Sequence, residues 1–187
     1  MSPRTKLYPE TAAGGYSSVD GTVQFYSRVR ALLRPEFIVL DLGAGRGEGL
    51  LDDPVPFRRD LRTLRGHCAD VIGCDVDPVV LSNPGLDRAF LISPDGRLAL
   101  PDASVDVIVS DYVLEHIEDP AAFAAEVSRV LKPGGWFCAR TPNYWGYIAV
   151  ASRMIPNRLH AKVLARVQVG RKEKDVFPTW YRMGVVA

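Results

Sequence analysis

Val39-Leu40-Asp41-Leu42-Gly43-Ala44-Gly45-Arg46-Gly47 is an apolar run that passes through one acid into three glycines at alternate positions. The run reads as a strand, and the glycines as a turn whose backbone a ligand can approach closely. The dinucleotide fingerprint G-x-G-x-x-G wants its third glycine at 48, where Glu48 stands, and an acid about 20 residues on, near Thr63. A nicotinamide cofactor is therefore disfavoured. Asp41 opposes a pyrophosphate but suits a ligand with an ammonium group and a sulfonium centre. The alternative is a glycine turn that only lets a helix and a strand pack.

Around this stretch, short β-branched runs alternate with helical patterns, the arrangement of βα units on a parallel sheet. The strands are expected at Phe37 to Leu42, Asp70 to Asp75, Ala89 to Ile92, Val105 to Ser110 and Gly135 to Arg140. Four of the five are continuous apolar runs, as strands covered on both faces should be, so the fold class is α/β with a doubly wound, mostly parallel sheet. Upstream, Val23, Tyr26, Val29, Leu32 and Leu33 share one face of a helix over Thr22 to Leu33, with Asp20 as its cap. Pro54 and Pro56 break the segment after the first strand into two short helical pieces. Asp119 before Pro120 starts a crossover helix carrying Phe123, Val127, Val130 and Leu131 on one face, and Lys132-Pro133-Gly134-Gly135 is the turn that ends it.

With 187 residues, 47% hydrophobic and 24% charged, the chain has the composition of one ordinary globular domain. Its 23 basic and 22 acidic residues leave no overall field to hold nucleic acid or a membrane surface. Cys68, Cys74 and Cys138 have neither disulfide-framework nor zinc-site spacing, which points to a reducing, cytoplasmic setting. Met1 to Gly15 has no apolar run of the signal-peptide kind. The longest uncharged stretch, Thr141 to Ser152, is well short of the roughly 20 residues of a spanning helix, so no membrane span is expected.

Val71-Ile72-Gly73-Cys74-Asp75 places a carboxylate at the tip of the second strand, where its two oxygens can accept both hydroxyls of a ribose. Asp77, before Pro78, suits a helix cap, and a lone acid at a strand end is often no more than that.

Four segments in order, D-L-G-A-G-R-G, V-I-G-C-D-V-D-P, L-P-D-A-S-V-D-V-I-V-S-D-Y-V-L-E-H-I-E-D-P and E-V-S-R-V-L-K-P-G-G-W-F, resemble class I S-adenosylmethionine-dependent methyltransferases over roughly residues 37 to 143. The resemblance implies a Rossmann-like sheet and S-adenosyl-L-methionine as cofactor. By position it would set Asp41, Gly43 and Gly45 against the methionine part, Asp75 at the ribose, and Asp95 with Gly96 at the adenine, with Ala44 and Val76 also among the cofactor-binding positions. Ser110, Asp111 and Tyr112 would floor the pocket. The family often has an acid where Gly96 stands, with Asp95 one step away, so adenine recognition through backbone groups stays open.

Glu115-His116 is similar to the E-x-x-E-H cluster of coenzyme Q O-methyltransferases, with Tyr112 in place of the first glutamate, and no metal is expected on that remnant. His116 is the candidate general base for an acceptor hydroxyl; its alternative role is a polar residue closing the pocket. Thr141-Pro142-Asn143-Tyr144 resembles the N-P-P-Y motif of amino-methylating nucleic-acid enzymes but follows the fifth strand and not the fourth, and no nucleic-acid partner is expected. Tyr144 and Trp145 are expected on the acceptor side.

Three segments are expected: an N-terminal helical lid over residues 1–36, a cofactor-binding core over 37–143, and a helical, basic segment over 144–187. Between Arg153 and Lys174 seven basic residues face one glutamate, which suits either an anionic acceptor or a solvated helix face. After Arg140 no candidate appears for the antiparallel hairpin with which the family's seven-stranded sheet closes. A sheet of about five strands is expected, the chain being either a shortened family member or a fragment, with its fifth strand an open edge covered by the Tyr144 to Ala187 segment or paired in a homodimer. The expected function is methyl transfer to a small-molecule or lipid- or sugar-linked acceptor; the other reading is a non-catalytic, methyltransferase-like binding domain.

Overall fold

The computed structural model describes residues 3–142, so the expectations for the 144–187 segment, and for what covers the sheet edge, lie outside the described residues. Helix α1 spans Pro3–Leu7 and α2 Gly21–Leu32, followed by β1 at Ile38–Leu42, the short helices α3 (Glu48–Leu51) and α4 (Pro56–Arg62), β2 at Asp70–Asp75, β3 at Arg88–Leu91, β4 at Val105–Asp111, α5 at Pro120–Val130 and β5 at Leu131–Arg140. The five strands form one sheet in the order β3-β2-β1-β4-β5, every pair parallel. The chain order reverses between β1 and β4, so a crevice opens at the carboxyl ends of those strands.

Each face of the sheet has its own core. Val39, Val71, Val107 and Val109 pack with Tyr26 and Val29 of α2, Leu61 of α4 and Val80. Leu40, Leu42, Ile72, Cys74 and Ile108 pack with Val127 and Val130 of α5 and with Leu98. Burial on both sides explains why β1, β2 and β4 read as unbroken apolar runs.

Asp20 caps α2 by accepting the Thr22 and Val23 N–H groups at 3.0 and 3.1 Å, and its other oxygen accepts Arg58 Nη1 at 2.8 Å. Arg58 also grips Asp53, Nη2 to Oδ1 at 2.6 Å, which ties the entry of α2 to the loop before α4. Asp119 caps α5 through the Ala121 and Ala122 N–H groups, both at 3.0 Å. Replacing Asp119 with Ala is expected to cost about 1 kcal/mol and roughly 2 to 4 °C in melting temperature, measured by thermal denaturation.

The strand bounds differ from the sequence reading most at β5. Leu131 pairs with Val105 and Trp136 with Val107, so Lys132 to Gly135 bulge out opposite the single residue Asp106. The expected turn and a longer strand are thus both present: the bulge interrupts the ladder without ending it. Lys132 Nζ closes it with contacts of 2.9 and 2.8 Å to the Asp106 carboxylate, which also accepts the Ile38 N–H at 2.8 Å. Among the described residues no helix is long and apolar enough to cross a membrane.

Candidate functional site

Three aspartates line up at the carboxyl end of the sheet. Asp41 pairs in register with Gly73 on β2 and with Val109 on β4; Asp75 and Asp111 lie two residues further along those strands, so all three share the α2/α4 side. They border a cavity of about 1330 Å³ that runs from the glycine loop past Asp95 to His116 and Phe123.

The loop is held in shape from both sides. Gly43 and Ala44 donate to Cys74 O at 2.8 and 3.1 Å, while Asn83 Nδ2 donates to Ala44 O at 2.9 Å and Gly45 O at 3.2 Å. Gly43 has φ +79°, and a Cβ there would collide with the Val113 side chain, so the turn admits no larger residue. Asp75 accepts the Gly45 N–H on Oδ2 and the Asp77 N–H on Oδ1, both at 2.9 Å. Each oxygen keeps a second acceptor position. Asp77 caps the 3-10 turn Pro78–Ser82 through Val79 N–H at 2.9 Å, the alternative role weighed for an acid at this place.

Asp41 is half-buried and accepts no hydrogen bond from the described residues. Burial, reinforced by the charges of Asp111 and Asp75 and opposed by Arg62, pushes its carboxyl up to about 7. Asp111 is by contrast fully engaged: Arg140 Nε and Nη2 bind its two oxygens at 2.6 and 2.7 Å, and Tyr26 Oη donates to it at 3.2 Å. Burial and the neighbouring carboxylates Asp111 and Asp41 push the Tyr26 phenol far above its usual range, so it stays a donor. Arg140 lies between two rings, 5.3 Å from the Phe25 centroid and 4.8 Å from that of Tyr112. Tyr112 adopts φ +59° and is 50% exposed at the cavity mouth, its N–H donating to Arg140 O at 2.7 Å.

The structure brings Asp41, Gly43, Ala44, Gly45, Asp75, Val76, Asp95, Asp111, Tyr112 and His116 to the cavity wall. It corrects Ser110. That residue is fully buried within β4, and among the described residues its hydroxyl has no partner and it does not line the cavity. Strand alternation turns Asp111 to the α2/α4 side of the sheet and Ser110 to the α5 side. Asp95 sits in a tight turn, accepting the Arg97 N–H at 3.2 Å, and the strand-to-strand connection behind it is fastened to α5: Glu126 accepts Leu98 N–H at 2.7 Å and Arg129 donates to Leu100 O at 2.8 Å.

Glu115 is buried and accepts the Thr141 hydroxyl at 2.9 Å. Among the described residues no group of three or more His, Cys, Asp or Glu side chains is placed to hold a metal ion. Tyr144 and Trp145, expected on the acceptor side, lie outside the described residues. Sequence reasoning missed Arg62, Asn83, Tyr26 and Glu126. Asn83 and Arg62 arrive from elements whose pattern names no loop partner, whereas the apolar face of α2 already pointed Tyr26 inward.

Comparison with known proteins follows this geometry. The family described as "Methyltransferase domain" matches residues 40–139. A "Probable S-adenosylmethionine-dependent methyltransferase" of Mycolicibacterium smegmatis is 40% identical over 108 residues, 56% of this chain and 38% of that protein. The "Ubiquinone biosynthesis O-methyltransferase" of Thiobacillus denitrificans is 38% identical over 114 residues, 56% of this chain and 44% of that protein. The chain thus matches less than half the length of these relatives. A crystal structure of a SAM-dependent methyltransferase from Aquifex aeolicus, 18% identical, superposes with a TM-score of 0.51 over 79% of this chain and 81% of that one, which supports the fold.

Proposed function

The chain belongs to the methyltransferase-domain family, as a class I S-adenosylmethionine-dependent methyltransferase, and from that premise we propose that it methylates a small-molecule or lipid- or sugar-linked hydroxyl acceptor in the cavity at the β1/β4 crevice. S-adenosyl-L-methionine is the expected cofactor. The observation that carries the reading is the clamp of Asp75 on the Gly45 N–H, which fixes an acceptor-rich carboxylate beside a loop that tolerates no side chain at Gly43. The donor set fits the group: Asp75 for ribose hydroxyls, Asp41 for an ammonium, the Asp95 turn for the adenine. At about 1330 Å³ the cavity exceeds the roughly 300 to 1,000 Å³ of common ligand pockets, leaving space for an acceptor beside the cofactor.

When bound, S-adenosylmethionine supplies an electrophilic methyl group on a sulfonium, so the protein mainly aligns partners and excludes water. Segment 1–36 serves as the lid, with Tyr26 at the wall. His116, on the same cavity wall as Tyr112, takes the acceptor's hydroxyl proton on a ring nitrogen. The 38% identity to an O-methyltransferase supports a hydroxyl acceptor.

The test is calorimetric titration with S-adenosylhomocysteine, followed by a radiolabelled methyl-transfer screen across phenols, sugars and lipid-linked alcohols. Binding with transfer to one class is the expected result, binding with no transfer to any class would favour a non-catalytic binding domain, and no binding by folded protein would remove the reading. In the same cell NAD, at up to about 1 mM, is expected not to displace S-adenosylhomocysteine, because Asp41 and Glu48 oppose a pyrophosphate at the loop.

A further inference from the structure

Tyr112 holds a backbone conformation that tyrosine rarely adopts, with φ +59°. Such a residue persists only where its surroundings over-determine it. Arg140 does so twice, its carbonyl accepting the Tyr112 N–H at 2.7 Å and its guanidinium lying 4.8 Å from the ring centroid. That guanidinium is itself fixed from three sides, by the Asp111 oxygens at 2.6 and 2.7 Å, by Thr22 Oγ1 at 3.2 Å and by the Phe25 ring at 5.3 Å. The outcome is an aromatic ring backed by a cation and half exposed on the cavity wall.

An exposed ring on a ligand cavity is a stacking surface, and its electronics choose what stacks on it. A ring has a negative face and a positive edge, so left to itself it attracts cations and the positive C–H groups of saturated rings. The Arg140 charge behind Tyr112 draws that negative potential inward, which weakens both attractions and lowers the repulsion toward the face of a second ring. We propose that Tyr112 is the specificity-determining residue of the acceptor side, and that the acceptor it selects is an uncharged phenol in preference to a sugar or an aliphatic alcohol. This rests on the reading of the cavity as a methyl-transfer site. Tyr112 then belongs to the acceptor side and not to the cofactor floor that the sequence resemblance implied.

Two probes differ in the ring alone: 4-propylphenol and 4-propylcyclohexanol, each titrated into protein saturated with S-adenosylhomocysteine so that no methyl is transferred. The wild-type complex should bind the phenol about 3- to 10-fold more tightly. Tyr112→Phe should keep that preference. Tyr112→Leu, which carries the same backbone penalty, should bring the two probes within about twofold of each other. S-adenosylhomocysteine should bind each variant within about threefold of wild type, which also certifies that the variant has folded. Equal affinities in the wild type, binding of neither probe, a preference lost in Tyr112→Phe or kept in Tyr112→Leu, or a loss of S-adenosylhomocysteine in either variant would each overturn the proposal, while wild-type binding of S-adenosylhomocysteine leaves the cofactor reading intact. A folded wild-type chain that bound neither S-adenosylhomocysteine nor the probes would overturn both.

Discussion

Asp75→Ala is expected to lower affinity for S-adenosylhomocysteine by about 30- to 1,000-fold, or roughly 2 to 4 kcal/mol. The carboxylate serves two sides. Toward the protein, its oxygens accept the Gly45 and Asp77 N–H groups at 2.9 Å each, and so join the tip of β2 to the glycine loop of β1. Toward the cavity, each oxygen keeps an acceptor position for one ribose hydroxyl. Alanine removes both hydroxyl partners and frees the loop, so the loss should exceed that of a surface hydrogen bond. Asparagine keeps one acceptor oxygen but sets an NH₂ against one of two backbone donors, and its loss should be intermediate. The accompanying stability cost should be near 1 kcal/mol, about 2 to 4 °C by thermal denaturation. An alanine variant with unchanged affinity would take Asp75 out of the ribose role.

That the loop and Asp75 were legible from sequence follows from how local their geometry is. A continuous apolar strand, a glycine turn and an acid at the next strand's end each depend on a few neighbouring residues, and parallel pairing brings the two tips together without further information. The break between α3 and α4 was equally plain, because Pro54 and Pro56 forbid an uninterrupted helix. Ser110 and Asp111, grouped by their adjacency in the sequence, fall on opposite faces of β4, as strand alternation requires. The β5 bulge was half legible, since the Lys132 to Gly135 turn was evident while the pairing of Leu131 ahead of it depends on a register set by β4. Arg62 and Asn83 were not legible at all. Asn83 holds the loop from 38 residues past Gly45 and Arg62 crosses Gly49 of α3 from 13 residues past it, and no local pattern encodes those contacts.

Asp41→Asn should make the free protein more stable and the complex weaker. In the folded chain the Asp41 carboxyl titrates near 7 against an ordinary value of 3.8, because burial and the charges of Asp111 and Asp75 disfavour its ionised form. Between those two values the folded chain holds a proton that the unfolded chain has released, so stability falls as pH rises through the window. Asparagine cannot ionise and removes that slope. Because Asp41 is only half-buried, solvent screens much of the effect, and the gain at pH 8 should be about 1 to 2 kcal/mol, or roughly 2 to 8 °C. Binding runs the other way. An ammonium placed against Asp41 favours the ionised form, so wild-type affinity for S-adenosylhomocysteine should climb as pH rises from 6 towards 8, by up to about tenfold per unit below the titration point. The asparagine variant should lose about 2 to 4 kcal/mol of affinity at pH 8, some 30- to 1,000-fold, and show no such climb. Calorimetry at pH 6, 7 and 8 with parallel melting curves reads both effects. A variant that neither gained stability nor lost affinity at pH 8 would show that Asp41 is not the buried counter-charge of a cationic ligand.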